Sequence, residues 1–286
     1  MFELDERQKS IALMVLCPIS LALMGYAVKM SNQSPVALVL LARFSISALV
    51  YTAWLGIRGF NFREIRPSRH VLRTALGFSS VACLFASISL IPLSTALCLS
   101  YTVPIFSYVI SVCIGHIKAD FRFLYVVGAV AAIAMIVQPS ADVSLFGALL
   151  GLASAFFGAL ALFEIKRISS TEGSDAILLM YFLYSTLALL LFSFVATDTN
   201  GLQHSIAVSA PALIGVGLFG LLYQFSLVGS LKLVSVATVS LALLAAVALG
   251  YGIDIIAIGA QVSPWAMLGT ALLAACIGAY SQASQS

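Results

Sequence analysis

The residues of this chain that could do chemistry are few, and they lie in apolar surroundings. Arg43 stands inside the apolar stretch Pro35 to Gly56. A guanidinium buried there could bind a carboxylate or phosphate through two parallel hydrogen bonds. It could equally serve an outer-side salt bridge or snorkel toward the interface. Asp254 follows Gly250-Tyr251-Gly252, a run that can loosen a helix. It could pair with Arg43, attract a cationic solute, take up a proton, or simply sit at the interface. Neutral polar groups form a better-placed set. Tyr101 and Ser100 precede Pro104, whose missing N–H frees the carbonyl one turn earlier. That carbonyl is Ser100, so a kinked helix would present it beside the Tyr101 hydroxyl. Ser80, Cys83 and Ser87 recur at helical spacing on one face, and Tyr223 adjoins Gln224. The expected substrate-binding set is therefore Arg43, Ser80, Tyr101, Tyr223, Gln224 and Asp254. Each of the neutral members could instead hold helices together, as serine and tyrosine often do in membranes. Glu164, one residue from Lys166, reads as a solvated partner for nearby cations. Phe106, Tyr108, Phe156, Phe157, Tyr181 and Phe182 could stack on a substrate ring or anchor the core.

Other chemistries find little footing. There is no Walker-type phosphate loop and no HExxH. The five cysteines, Cys17, Cys83, Cys98, Cys113 and Cys276, fall inside apolar runs without a CxxC or Cys/His cluster, so they read as small buried hydrophobes. Gly250-Tyr-Gly-Ile-Asp254 superficially resembles the Gly-x-Gly-Asp site of intramembrane aspartyl proteases. The extra Ile253 displaces the carboxylate, however, and no second membrane acid completes a dyad. The chain is expected not to be an enzyme, to use no cofactor or metal, and to bind no nucleic acid. An intramembrane enzyme and a lipid-linked substrate flippase are the alternatives.

What must position these residues follows from composition. The sequence is 62% hydrophobic and 9% charged, against roughly 45–50% and 25% in a soluble domain. An apolar helix needs about 20 residues to cross a ~30 Å hydrocarbon core, and charged or turn-forming breaks divide this chain into ten such stretches. They run from Ile11 to Ala27, Pro35 to Gly56, Val71 to Leu90, Leu93 to Gly115 and Phe123 to Val137. The remaining five are Leu145 to Phe163, Ala176 to Val195, Ala212 to Ser230, Val234 to Ile258 and Trp265 to Ala279. Ile91-Pro92 reads as a tight helical hairpin. Met1 to Lys9 is short and mixed in charge, so no removable signal peptide is expected. Lys and Arg stay cytoplasmic when loops are short. Placing both termini inside puts Arg7, Lys9, Arg58, Arg63, Arg66, Arg69, Arg73, Lys118, Arg122, Lys166, Arg167 and Lys232 on that side. The expected location is a bacterial inner membrane, with both termini cytoplasmic.

An offset of 141 residues aligns Phe78 with Phe219, Ser89-Leu90 with Ser230-Leu231, Ser94 with Ser235, Ala96 with Ala237 and Gly128 with Gly269. Five spans per half is an odd number, so the second half must enter the membrane the opposite way round. The expected fold is an all-α integral membrane protein, ten transmembrane helices in two inverted five-helix repeats, residues 1–140 and 141–286. Secondary transporters are built in this way, with the substrate near the midplane between repeats. Gly147, Gly151, Ser154 and Gly158 form a small-residue stripe suited to close helix packing. The fifth and tenth spans, nearly free of polar groups, are the natural lipid or homodimer faces.

Leu41-Ala-Arg-Phe44, Arg69-His-Val-Leu-Arg73, Ile91-Pro-Leu-Ser-Thr-Ala96 leading to Pro104, and the Gly128 and Gly269 helices resemble, in their order, the EamA branch of the drug/metabolite transporter superfamily. Nearly the whole chain is covered. Within that branch the arginine-rich start of the third span and the Pro104 helix look most similar to S-adenosylmethionine uptake carriers, and amino-acid exporters share much of this. Family members often carry a glycine-glutamate pair after the fourth and ninth spans, where this chain reads Gly115-His116 and Gly259-Ala260. The resemblance implies a secondary transporter that moves a small polar metabolite, S-adenosylmethionine-like or amino-acid-like, by alternating access. Its partners would be that solute and the lipid bilayer.

Overall fold

The computed structural model describes residues 6–31, 34–62, 65–88, 90–91, 93–138, 144–193, 200–258 and 263–283. All regular structure among them is helical. In chain order the α-helices are α1 Glu6–Met30, α2 Val36–Ile57, α3 Val71–Ile88, α4 Leu93–Ser100, α5 Val103–Cys113 and α6 Arg122–Val137. They continue with α7 Leu145–Ile168, α8 Ser174–Ser193, α9 Asn200–Leu233, α10 Val236–Leu243, α11 Ala245–Ile258 and α12 Pro264–Ala283, and a 3-10 turn Pro67–His70 leads into α3. Among the described residues seven stretches are long and apolar enough to cross a membrane: α1, α2, α4 with α5, α7, α8, α9, and α10 with α11. Arg122–Ile136 and Pro264–Tyr280 are shorter apolar helices. The chain is therefore an all-α protein with the helices of a multi-pass membrane protein.

Surface composition agrees with that environment. Leu49, Leu124, Leu145 and Ile256 present large apolar side chains outward, which lipid tolerates and water penalises. On α2 the buried residues Leu38, Ala42, Ser47, Ala48, Tyr51 and Leu55 follow the helical period, so one face packs inward while Leu49, Val50 and Trp54 face out. Pro18 and Pro211 lie inside α1 and α9, a placement membrane helices tolerate because neighbours re-satisfy the freed carbonyls.

The expected kink before Pro104 is instead a break. The chain leaves the helix at Tyr101-Thr102 and re-enters with Pro104 in the first turn of α5. A proline is well placed there because first-turn N–H groups have no helical partner. The Thr102 hydroxyl donates to the Leu99 carbonyl at 2.6 Å, serving one of the acceptors the break frees. A second interruption at Leu244 separates α10 from α11. α10 starts from Ser235, whose hydroxyl accepts the Thr238 N–H, a standard N-cap arrangement.

Two compact units result, Met1–Thr74 with Ile165–Leu233, and Ala75–Glu164 with Val234–Ser286. Each draws on both sequence halves, and the expected boundary at Ser140-Ala141 lies outside the described residues, as do Pro92, Gly259 and Ala260. In the first unit α1 packs along α9, and α2 lies against α8 and α9. A Cβ on Gly217 of α9 would come within 2.5 Å of Ile46 Cβ and 3.2 Å of the Ala42 carbonyl of α2, so only glycine permits this approach. The Ser47 hydroxyl lies 2.8 Å from the Gly217 carbonyl and 2.7 Å from its own-helix Arg43 carbonyl, sharing its proton across the same crossing.

In the second unit α6 packs along α12, and its core includes Val126, Ala129, Ile133, Leu241 and Leu273. The small-residue stripe of α7 is a packing seam. A Cβ on Gly147 would meet Ile91 Cγ2 at 2.5 Å, and one on Gly151 would meet Leu99 Cβ at 2.9 Å. Glu164 is buried at 7% exposure, so the expected solvated acid is an interior one.

Candidate buried polar site

In the first unit, four helices bring polar groups to one place. Arg73, two residues into α3, is 2% exposed. Its guanidinium carbon lies 3.5 Å from the centroid of the Tyr181 ring of α8, and Nη2 donates to Gln224 Oε1 of α9 at 3.1 Å. Phe44 of α2 meets the same Tyr181 ring edge-on, with centroids 5.4 Å apart and planes at 86°. Tyr181 is thus held on one side by an aromatic edge and presents its face to a cation, the arrangement its quadrupole favours.

Arg43 is half-buried on α2. Its stem lies on α9 where Gly220 has no side chain, since a Cβ there would come within 3.3 Å of Arg43 Cγ. Its guanidinium sits 5.3 Å from the Phe44 centroid and within Coulombic range of Arg73 and Tyr223. Two cations therefore stand near one another among apolar helices. Arg73 is bonded to no acid among the described residues, and its Nε and Nη1 have no hydrogen-bond partner among them. Unpaired buried donors are rare in folded proteins, and a buried charge normally has a counter-charge.

The two acids of this unit whose side chains are described are occupied elsewhere. Glu172 forms an ion pair with Arg69 at 3.3 Å, and Asp175 accepts a 2.6 Å hydrogen bond from the Tyr51 hydroxyl. His70, in the 3-10 turn one helical turn before Arg73, is fully buried with both ring nitrogens unpartnered. Burial drives its pKa below the ordinary value; Glu172 opposes this and Arg73 and Arg69 reinforce it.

The structure thus gathers Arg43, Tyr223 and Gln224 in one unit with Arg73 and Tyr181. Ser80 and Tyr101 belong to the other. The Ser80 hydroxyl donates to the Ser154 carbonyl at 2.8 Å, and Ser87 donates likewise to Gly147 at 2.8 Å. Both tie α3 to the seam of α7. Tyr101 packs against the core of α6, α10 and α12 at the break between α4 and α5. The side chain of Asp254 lies outside the described residues.

Arg73 is absent from the expected site, and Tyr181 figures among the expectations only as a ring that could stack on a substrate. Arg73 counts among the cytoplasmic cations that orient the chain, and that role hides it. The signal that could have exposed it is its spacing from Arg69. Residues four apart can share a helix face, and Arg69 pairs with Glu172 while Arg73 is bonded to no acid among the described residues.

The fold is shared with a solved structure described only as a crystal structure of a protein, at TM-score 0.83 and 15% identity, covering 97% of this chain and 99% of that one. No protein-family model and no curated protein matches the sequence.

Proposed function

We propose that this chain is a secondary carrier of the EamA branch of the drug/metabolite transporter superfamily. It would move a small polar metabolite, S-adenosylmethionine-like or amino-acid-like, across a bacterial inner membrane by alternating access. The observation that carries the reading is the Arg73–Gln224–Tyr181 cluster with Arg43 beside it. Ionisable groups within membrane helices are costly, and where they persist they mark solute or ion pathways.

This reading includes ten spans in two inverted repeats, and two correspondences favour the repeat. Under the 141-residue offset the break at Tyr101-Thr102 falls on Ala242-Leu243, just before the interruption at Leu244. Broken helices at matching positions of two halves are typical of transporter repeats. The same offset maps Gly128 onto Gly269 and Met135 onto Cys276. A Cβ on Gly128 would meet Cys276 Sγ at 3.0 Å, and one on Gly269 would meet Met135 Cβ at 3.0 Å. Reciprocal contacts of this kind belong to two-fold interfaces.

Counterflow in proteoliposomes tests the reading. Vesicles loaded with S-adenosylmethionine, or with an amino-acid mixture, should accumulate the labelled solute from outside, and empty liposomes should not. Absence of exchange for every solute, with the protein shown to be folded, would defeat it. Labelling of single cysteines added at each end should place both on the cytoplasmic face.

A further inference from the structure

We infer that Arg73 is the seat for a carboxylate of the transported solute, with Tyr181 stacked beneath the guanidinium and Gln224 fixing its orientation. This rests on the carrier reading and specifies which part of the solute the site recognises.

The geometry of the guanidinium carries the argument. Arginine has five N–H donors, one on Nε and two on each terminal nitrogen. Gln224 Oε1 accepts from Nη2, and among the described residues Nε and Nη1 have no partner. One Nη2 proton points toward the Nε side and the other toward Nη1. Whichever of them Gln224 takes, one complete two-donor edge stays unpaired, either Nε with Nη2 or Nη1 with Nη2. A two-donor edge matches the two oxygens of a carboxylate.

Charge points the same way. Arg73 and Arg43 act on each other through space, while Glu172 is engaged by Arg69 and Asp175 by Tyr51. No acid among the described residues is bonded to Arg73, so a mobile anion would supply the missing counter-charge. Tyr181 and Gln224 contribute position and not charge. The ring face prevents the guanidinium from tilting, and Phe44 keeps the ring upright. Arg73 is sealed from solvent in this conformation, so the helices around it must part to admit a solute. Such opening is what alternating access supplies.

The experiment compares solutes that differ only at the acid. Thermal-shift titrations of the full-length protein in detergent would use S-adenosylmethionine against its decarboxylated form, methionine against methioninamide, and inorganic phosphate. Counterflow in proteoliposomes runs in parallel. An acid should bind at least about tenfold more tightly than its partner lacking the carboxylate, the loss expected when charge-assisted hydrogen bonds disappear. In Arg73→Gln that preference should collapse to within about twofold, and Arg73→Lys should keep part of it. Equal affinity of acid and amide in the unaltered protein overturns the inference without any variant having to fold. Phosphate binding as tightly as the carboxylates also overturns it, since the seat would then be a general oxyanion site. Counterflow with no preference for acids sinks this inference alone, whereas absence of both binding and counterflow sinks the carrier reading with it.

Discussion

Gly269 of α12 faces the backbone of α6 so closely that a Cβ on it would lie 2.8 Å from the Ala132 carbonyl oxygen. Gly128 of α6, 141 residues earlier, faces only the Cys276 side chain, at 3.0 Å. A backbone atom cannot rotate away, whereas a thiol can. Gly269→Ala should therefore force α6 and α12 apart and destabilise the protein by about 1–3 kcal/mol, the usual penalty for overpacking. Gly128→Ala should be nearly neutral, because the helix-propensity gain of about 0.5–1 kcal/mol offsets a small shift of Cys276. Parallel detergent-melting curves of the two variants check this, and equal losses would show the packing to be misassigned.

Ser80 provides a test between packing and solute contact. Its hydroxyl is committed to the Ser154 carbonyl, so Ser80→Ala should cost on the order of 0.6 kcal/mol, the average for interhelical side-chain hydrogen bonds in membranes. Transport KM should be unchanged. A several-fold rise in KM with stability intact would instead return Ser80 to the substrate-binding set.

How much of this was legible beforehand differs between fold and site. Helix positions are readable because lipid imposes one length and one polarity on every crossing, and each of the ten apolar stretches is helical over most of its described residues. The break at Tyr101-Thr102 is only half legible. Pro104 announces a disturbance, yet whether a helix bends or stops depends on groups such as the Thr102 hydroxyl that take up freed carbonyls. At Leu244 no proline gives warning. The site is harder still. Ser80, Arg73 and Gln224 are each polar residues in apolar helices, and spacing alone does not say which finds a partner. Ser80 meets a backbone carbonyl, while Arg73 meets a ring face and one amide oxygen. Those partners lie about 75 to 150 residues away in sequence, at separations where periodicity carries no information.

His70 should make stability depend on pH. Its pKa is lowered from the ordinary 6.5 chiefly by burial, so the folded state prefers the neutral ring and the unfolded state binds the proton more readily. Stability from this group is complete above about 6.5 and declines as pH falls below that value. Glu172 opposes the effect, whereas Arg69 and Arg73 strengthen it. Apparent melting temperature should fall between pH 7.5 and pH 5.5, and His70→Gln should flatten that slope. An unchanged slope in the variant would place the titration elsewhere.

Arg43 calls for a pair of measurements, because its stability and activity effects should have opposite signs. It lies within Coulombic range of the buried Arg73 and is bonded to no acceptor among the described residues, its closest aromatic contact being Phe44 at 5.3 Å. Like charges in a low-dielectric interior repel strongly, so removing this one should relieve the folded state. Arg43→Gln is expected to raise the apparent melting temperature by about 2–4 °C, the change that about 1 kcal/mol produces in a chain of roughly this size. On the carrier reading, the same substitution should weaken the attraction for an anionic group and lower transport kcat/KM about tenfold, as happens when function is maintained at the expense of stability. Arg43→Lys keeps the charge and should stay within about threefold of the unaltered protein in uptake. A fall in melting temperature with uptake unaffected would make Arg43 a structural residue, held by its stem against Gly220.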